Sequence, residues 1–426
     1  NDEGKEIVKN YYDNLNDESN ISEFKKDLED KFFALKVKET MLDSRQLGLK
    51  VSANSMYGFL GAQKFGKYSL IEGSMCVTSR GRELIKQAGE FFENEYDATI
   101  VYGDTDSTMV HVPAMKDDPS VCWKISEEME DKINGNKDGK GIFPKPLYLE
   151  FEKAMKALFM KKKKYAYMEY DRKGNIIKEK NSDVDRINSK GIILARRDNC
   201  EWLRRTYQNC LRGIFDELTI QQNFKLIMDS IIDVIELNKG IDHINQDLSI
   251  VRAMGSNYKS TTYFLSIFSG MMKELGRPIA PSERFRYVVA KDHMLRDKIG
   301  YRMRTIEMFK EQWEKAGVNY GEEIPDDYVT PEGIYPPEYI DSEYYITNVL
   351  KEPIDQLFAF GYYRVLNDYK HVKYVPNRRR GLRVVDVSTP VGMIEQIIKD
   401  NKDKINLDGN LNSLLETLYV MREGFN

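Results

Sequence analysis

The chain has 426 residues, 41% of them hydrophobic and 31% charged, and a formal net charge of −4. This length predicts about two to four domains, and the composition is typical of a globular protein. No run of about 18 apolar residues occurs, so no transmembrane segment is predicted, and the sequence shows no signal peptide. The four cysteines form no CxxC pair, which argues against a zinc module and favours an intracellular location, in the nucleus or the cytoplasm.

Basic residues are concentrated in two clusters, Lys161–Lys164 and Arg378–Arg383, while acidic residues gather elsewhere. Such segregation permits a basic groove for nucleic acid on a chain whose net charge is negative. Taken alone, each cluster is typical of a solvated face.

The first 60 residues predict two helices that form a helical hairpin. One covers Lys5–Leu15 and the other covers Ile21–Tyr57, where apolar residues recur at helical spacing. Near the end of the second helix, Lys50, Asn54 and Tyr57 are spaced to share one face. A cation, an amide and a ring on one stripe suit a nucleotide, because the lysine can hold a phosphate and the ring can pack on a sugar or base. A solvated polar stripe explains the spacing alone equally well.

A helix over Thr78–Glu95 is predicted to precede a β-hairpin. Two β-branched runs, Ala98–Tyr102 and Ser107–Val112, flank the sequence GDTD, and Gly and Asp are typical of a hairpin turn. Asp104 and Asp106 then lie together at the tip. Two adjacent carboxylates repel each other unless a cation neutralises them, so the tip predicts a site for a hard metal ion. The alternative is that both aspartates are simply turn formers.

Beyond the hairpin, the pattern predicts strands first and helices later, in an α+β fold with an antiparallel sheet and helices on one of its faces. A helix over Val121–Ile133 leads to strands at Leu147–Phe151, Tyr165–Tyr170, Ile176–Glu179 and Ile192–Ala195. The later predicted elements are helices at Trp202–Leu218, Ile220–Leu237 and Tyr344–Phe360, a loop over Gly317–Pro337 and a helical tail after Val385.

Several segments, in this order, resemble DNA polymerases of family B. The matching segments are LDSRQLGLKVSANSMYGFLGAQ (Leu42–Gln63), CVTSRGREL (Cys76–Leu84), VYGDTDS (Val101–Ser107), LYLEFEK (Leu147–Lys153), KKKKYA (Lys161–Ala166) and SKGIILARRD (Ser189–Asp198). DLSI at Asp247–Ile250 and the stretch Ile340–Phe358 look like thumb segments of that family. NSxYG followed by YGDTDS is the most specific combination.

The resemblance implies the domains and the activity of the chain. The implied domains are a partial fingers domain with a helical hairpin over 1–58, a partial palm with the antiparallel sheet over 59–198, a mostly helical thumb over 199–385 and a C-terminal helical tail over 386–426. The implied enzyme is a DNA-directed DNA polymerase that adds dNTPs to a primer 3′-hydroxyl with two Mg²⁺ ions. Its implied partners are primer–template DNA and dNTP.

The resemblance also implies roles for single residues. Asp106 would bind both Mg²⁺ ions, with Asp104 as a nearby acid, and Lys50 would complete the catalytic set. Lys50 and Asn54 would meet the incoming triphosphate, and Tyr57 would line the nascent base pair. The family's auxiliary palm acids match Glu152 and Glu150, and its nucleic-acid contacts match Lys162, Lys163, Tyr165, Arg196 and Arg197.

The chain also departs from the family pattern. It contains no DxxSLYP stretch, which carries the family's other metal-binding aspartate, and neither the exonuclease acids nor the Arg-x-x-x-Lys clamp of the first fingers helix. The first residue is Asn1 rather than Met, so we expect a piece of a longer protein or a split subunit. We therefore expect an N-terminal polymerase segment to carry the missing aspartate, and no nucleotidyl transfer by this chain alone.

A second interpretation is a non-catalytic DNA-binding or assembly subunit on a polymerase-derived fold. The stripe of Lys50, Asn54 and Tyr57 and the GDTD tip argue against it, because DNA binding alone requires neither. The long fingers tip is compatible with a viral enzyme, and the lack of a C-terminal cysteine cluster argues against the nuclear replicative enzymes. Gln396–Ile398 is too short a match to predict a peptide that binds a sliding clamp.

Overall fold

The computed structural model describes residues 18–62, 69–115, 118–136, 139–236, 244–291, 296–317, 319–320, 337–362, 374–377 and 381–384. Helices and small antiparallel sheets make up this part of the chain, which confirms the predicted α+β class. The chain divides into two compact units: unit 1 comprises residues 1–117 and 124–151, and unit 2 comprises residues 118–123 and 152–426. Among the described residues, no helix is long and apolar enough to cross a membrane.

Helix α1, Glu18–Leu60, confirms the predicted helix over 21–57 and extends it by about one turn at each end. Many of its apolar side chains are exposed, including Phe32 at 66%, Phe33 at 68% and Met56 at 72%. Helical spacing of apolar residues therefore predicted the element correctly, although it did not predict burial. The helix predicted over 5–15 lies outside the described residues.

Helix α2, Ile71–Tyr96, packs on a β-hairpin and begins earlier than predicted. A Cβ added at Gly89 would lie 3.5 Å from Ile100 Cγ1 in the first strand of the hairpin. A small residue at this position therefore lets the strand lie close to the helix. The buried residues of this helix are Leu84, Ala88, Gly89 and Phe92.

The hairpin itself confirms the predicted one. Strands β1, Thr99–Asp104, and β2, Ser107–His111, pair antiparallel, with a register shift between Ile100 and Tyr102. The small core beneath it consists of Ala88, Phe92, Ala98, Val112, Met129 and Ile133.

Helix α3, Val121–Asn134, confirms the predicted helix, but the strand predicted over Leu147–Phe151 is wrong. The Asn134 side chain donates to the Leu149 carbonyl at 2.7 Å and accepts from the Leu149 N–H at 2.9 Å. Glu130 accepts from the Phe151 N–H at 2.7 Å. Side chains of α3 thus satisfy backbone groups of this segment that a neighbouring strand would otherwise pair, and residues 147–151 belong to no strand.

The first sheet of unit 2 contains three antiparallel strands, in the order β3 (Ala154–Lys161), β4 (Lys164–Tyr170) and β5 (Asn188–Lys190). Strand β4 confirms the prediction for 165–170, whereas β3 was not predicted. The strand predicted over 176–179 is wrong, since Ile176 and Lys178 take part in isolated bridges. The strand predicted over 192–195 is also wrong, since Ile193–Ala195 form a 3₁₀ turn.

Helices α4, Glu201–Phe215, and α5, Ile220–Glu236, confirm the two amphipathic helices predicted here. A second antiparallel sheet, which the sequence did not predict, has the strand order β6 (Ile250–Ala253), β7 (Arg284–Val289) and β8 (Met303–Thr305). Other helices of the described residues are α6 (Phe264–Glu274), α7 (Ile299–Arg302), α8 (Ile306–Ala316), α9 (Ser342–Tyr344) and α10 (Lys351–Gly361), with π-helical turns at Ile244–Leu248 and Tyr345–Leu350.

The core of unit 2 joins both sheets to these helices through large buried side chains, including Trp202, Phe224, Phe268, Phe309 and Tyr345. Strands β9, Tyr374–Asn377, and β10, Gly381–Val384, form a separate antiparallel pair. Most of the predicted loop over 317–337, the arginines at 378–380 and the tail after 385 lie outside the described residues.

Candidate functional site

The tip of the β1–β2 hairpin brings Asp104 and Asp106 together. Asp104 ends β1 and is half-buried, whereas Asp106 is exposed in the two-residue loop before β2. The Asp106 N–H donates to the Asp104 carbonyl oxygen at 2.6 Å, and the Ser107 hydroxyl donates to the same oxygen at 3.2 Å. These bonds close the loop, and the two acids lie where the sequence indicated.

Thr105 separates the two aspartates and has a backbone φ of +53°. This left-handed conformation is uncommon for a β-branched residue, because the Cβ crowds the backbone. The Thr105 hydroxyl donates to Asp104 Oδ1 at 3.2 Å. Thr105 therefore also orients one of the two carboxylates. Backbone strain of this kind is concentrated at functional sites.

The carboxylate oxygens of this tip are the ligands that a hard divalent cation such as Mg²⁺ prefers. Asp106 is exposed and Asp104 lies beside it, so the donors fit part of a magnesium site. In the part of the chain that the structure describes, no group of three or more His, Cys, Asp or Glu side chains is placed to hold a metal ion. Within that part, the hairpin offers two carboxylates rather than a full ligand set.

The predicted nucleotide stripe lies on α1, where Lys50, Asn54 and Tyr57 are all exposed. Their spacing places them on one helical face. Tyr57 keeps 39% of its surface exposed, which leaves its ring accessible to a ligand. The stripe and the hairpin belong to the same unit, on different elements.

Four lysines close the β3–β4 hairpin. Lys161 pairs with Lys164, and Lys162 and Lys163 form the loop between them, which we call the lysine loop. All four side chains are exposed, and Lys163 has a φ of +61°. The hairpin therefore concentrates positive charge on one short loop.

Tyr165, predicted to contact nucleic acid, is only 5% exposed. Its ring centroid lies 5.3 Å from that of Phe159 and 5.9 Å from that of Tyr167. Its ring therefore packs against neighbouring rings of the sheet. The match of Tyr165 to a nucleic-acid contact stays a prediction. Tyr165 lies in β4, the strand that follows the lysine loop.

Arg196 and Arg197 follow the 3₁₀ turn, and both are exposed. Arg196 binds Asp198 through two hydrogen bonds of 3.2 and 2.9 Å, and Arg252 binds the same carboxylate at 2.9 Å. Burial alone would raise the pKa of Asp198, but hydrogen bonds and charge from Arg196, with the charge of Arg252, outweigh it and leave its pKa below the ordinary value. The ionised Asp198 thus fixes Arg196, while Arg197 presents its charge to solvent.

Glu150 and Glu152, matched to auxiliary palm acids, are both exposed but belong to different units. Glu152 forms an ion pair with Lys153 at 3.1 Å. The strand alternation expected to place both acids on one face does not apply, because residues 147–151 form no strand.

Sequence reasoning missed Gly191, which follows β5 with a φ of +66°. A Cβ at this position would lie 2.0 Å from the Lys163 carbonyl oxygen. The signal was present, because an isolated glycine at a strand pattern suggests a close approach of two backbones. Thr105 was also missed, although a two-residue hairpin loop requires left-handed residues.

Comparison with known proteins supplies the family. The family model described as DNA polymerase family B matches residues 22–360. DNA polymerase 120R of Invertebrate iridescent virus 3 is 36% identical over 186 residues, which is 43% of this chain and 15% of that protein. The DNA polymerase delta catalytic subunit of Schizosaccharomyces pombe is 30% identical over 336 residues, 75% of this chain and 26% of the subunit. That of Glycine max is 28% identical over 341 residues, 76% of this chain and 27% of the subunit.

The matched part of this chain thus spans between 15% and 27% of the length of these relatives. The family match itself covers most of the chain and includes the α1 stripe, the carboxylate hairpin and the lysine loop. The chain belongs to DNA polymerase family B.

Proposed function

We propose that this chain is part of a template-directed DNA polymerase that adds dNTPs to the 3′-hydroxyl of a primer. One observation carries the proposal: the Asp104 and Asp106 carboxylates share a hairpin tip in a chain whose residues 22–360 match the family. The relatives named above, a viral DNA polymerase and two catalytic subunits of DNA polymerase delta, support it.

Asp106 and Asp104 hold Mg²⁺ in this proposal, through carboxylate oxygens. Mg²⁺ bound there supplies positive charge that stabilises the attacking and leaving oxygens of phosphoryl transfer. Asp106 is exposed at the loop and is the principal ligand. Asp104 is oriented by the Thr105 hydroxyl and acts as its neighbour.

The exposed stripe of α1 binds the incoming dNTP. Lys50 neutralises charge on the triphosphate, the Asn54 amide donates to it, and the Tyr57 ring packs against the nascent base pair. Phosphoryl transfer depends mainly on positioning and on stabilisation of charge. The stripe and the carboxylate tip therefore supply complementary parts of one reaction.

A third carboxylate completes the site from another polymerase segment. Two Mg²⁺ ions carry four positive charges, of which two aspartates balance at most two. We infer that the missing acid comes from an N-terminal polymerase segment that bears the DxxSLYP motif.

The basic residues of unit 2 bind the primer–template duplex. Lys162, Lys163 and Arg197 contact phosphates, while Arg196, fixed by Asp198, adds its charge to the same segment. Phosphate contacts carry no sequence information, and their strength falls steeply as salt rises.

Primer extension tests the proposal, with the 426-residue chain alone and with a protein in which a DxxSLYP-bearing segment precedes it. We expect no extension by the chain alone and Mg²⁺-dependent extension by the longer protein. Extension by the chain alone would refute the inference of a third carboxylate. A longer protein that folds and binds duplex DNA but never extends a primer would support the alternative, a non-catalytic DNA-binding or assembly subunit.

A further inference from the structure

Gly191 makes a backbone contact that no other residue type permits without a rearrangement. A Cβ there would lie 2.0 Å from the Lys163 carbonyl oxygen and 3.1 Å from the Lys163 carbonyl carbon. The obstacle is backbone rather than the end of a flexible side chain, so the lysine loop itself would have to move. The left-handed φ of Gly191, +66°, also favours glycine.

The lysine loop is therefore fixed from two directions. Pairing of Lys161 with Lys164 closes it along the sheet, and Gly191 lies against it from the end of β5. Beneath it, Tyr165 is 5% exposed and packs among other rings. The strand pairing and Gly191 thus hold the loop that carries the charges of Lys162 and Lys163.

The residues that follow Gly191 are fixed as well, as far as the arginine segment. Ile192 is 4% exposed and belongs to the core of unit 2. The Arg196 N–H donates to the Ile193 carbonyl at 3.0 Å, and Asp198 accepts from the Arg196 side chain and, through its carbonyl, from the Val251 N–H. Gly191 thus connects the lysine loop to Arg196 and Arg197 through a short, well-anchored stretch.

We propose that Gly191 is a positioning residue that holds the lysine loop and the Arg196–Arg197 segment in one arrangement, so that both contact the phosphates of the same duplex. Groups held in place before binding lose less conformational entropy on binding than groups on mobile loops. The choice of duplex DNA as the ligand rests on the proposed function, whereas the arrangement of the two segments is taken from the structure.

The test compares Gly191→Ala with Gly276→Ala in binding of duplex DNA across a salt series. Gly276 is a matched control, because its φ of +71° carries the same backbone strain but nothing lies within 4 Å of an added Cβ. We expect Gly276→Ala to bind like the wild type. Gly191→Ala should bind at least about tenfold more weakly at low salt. The slope of log affinity against log salt concentration should be shallower by about one to two units, because each lost phosphate contact reduces the magnitude of that slope by about 0.9.

A double-mutant cycle identifies the route of the effect. In a chain that already carries Lys162→Ala and Lys163→Ala, we expect Gly191→Ala to add little, because the loop it positions has lost its charge. Full additivity, or an unchanged salt slope in Gly191→Ala alone, would overturn the inference. Failure of the wild-type chain to bind DNA would instead count against the proposed function.

If Gly191→Ala does not fold, a distance measurement in a chain that keeps Gly191 tests the inference instead. Spin labels at Lys163→Cys and Arg197→Cys, in a Cys76→Ser chain because Cys76 is exposed while Cys122, Cys200 and Cys210 are buried, report the distance between loop and arginine segment. We expect one narrow distance distribution without DNA. A broad distribution would show that the two segments are not held together and would overturn the inference.

Discussion

Thr105 adopts a backbone conformation that threonine rarely takes, and it does so between the two aspartates of the hairpin. A left-handed backbone costs a residue with a Cβ about 1–2 kcal/mol, and glycine avoids most of this cost. Unlike glycine, threonine has a hydroxyl here that donates to the Asp104 carboxylate. Thr105 therefore exchanges some stability for a fixed carboxylate.

We predict that Thr105→Gly leaves the free energy of unfolding unchanged or raises it by up to about 1 kcal/mol, since relief of strain offsets the entropy that glycine loses on folding. Thr99→Gly is the matched control, because Thr99 is an exposed residue within β1. There the same change should destabilise by about 1 kcal/mol. Urea denaturation measures the free energy of unfolding of both variants. Equal losses of stability in the two would mean that the Thr105 backbone is not strained.

Single residues also show where sequence reasoning stopped. Alternation along β4 places Tyr165 and Tyr167 on one face of the sheet, but burial of that face depends on Phe159 in a strand that was not predicted. The sequence therefore indicated Tyr165 as a candidate residue but did not reveal that its ring is buried against Phe159. Asp104 and Asp106 were easier, because a tight turn places them by local geometry alone.

At the scale of elements, predictions succeeded where local pattern decides the structure. The helices α1, α3, α4 and α5 and the hairpin β1–β2 follow from spacing and turn residues. Strand β3 was missed because its end merges into a lysine run that is typical of a solvated face, and its loop holds two lysines rather than Asn or Gly. The false strand at 147–151 alternates correctly but pairs with side chains of α3, a long-range contact that the sequence does not reveal.

One long-range contact fixes the segment around Glu338 against β8. Arg304 binds Glu338 through two hydrogen bonds of 2.7 Å, with the side chains only 6% and 5% exposed. The Trp313 indole donates to the Glu338 carbonyl at 3.1 Å. A buried guanidinium depends on its counter-charge, because water cannot replace it.

Glu338→Gln should therefore lower the free energy of unfolding of unit 2 by about 3–5 kcal/mol, the loss typical of a buried charge left without its partner. Glu311→Gln is the control, since Glu311 forms the same two-bond pair with Arg277 but the side chains are 36% and 48% exposed. Its loss should be at most about 1 kcal/mol. Urea denaturation followed by circular dichroism compares the two, and equal midpoints would contradict the buried-pair argument.

At the scale of the whole molecule, the residues proposed for nucleotide addition and those proposed for duplex binding belong to different units. The carboxylate tip and the α1 stripe belong to unit 1, and the lysine loop and the arginine segment belong to unit 2. The predicted domain boundaries at 58, 198 and 385 stay a prediction, and the structure groups residues 152–198 with those that follow. The family could be predicted from the sequence because its motifs are short and collinear, whereas the two units depend on contacts between distant residues.

Primer extension by the longer, DxxSLYP-bearing protein with Asp106→Asn tests the central claim most directly. Its control is Asp183→Asn in the same protein, because Asp183 is an exposed aspartate in a bend of unit 2 and its change also removes one negative charge. We predict that Asp106→Asn slows extension by at least about a hundredfold, the loss typical of removing one group that stabilises charge in the transition state, while Asp183→Asn extends at the wild-type rate. Extension by Asp106→Asn at the wild-type rate would contradict the account.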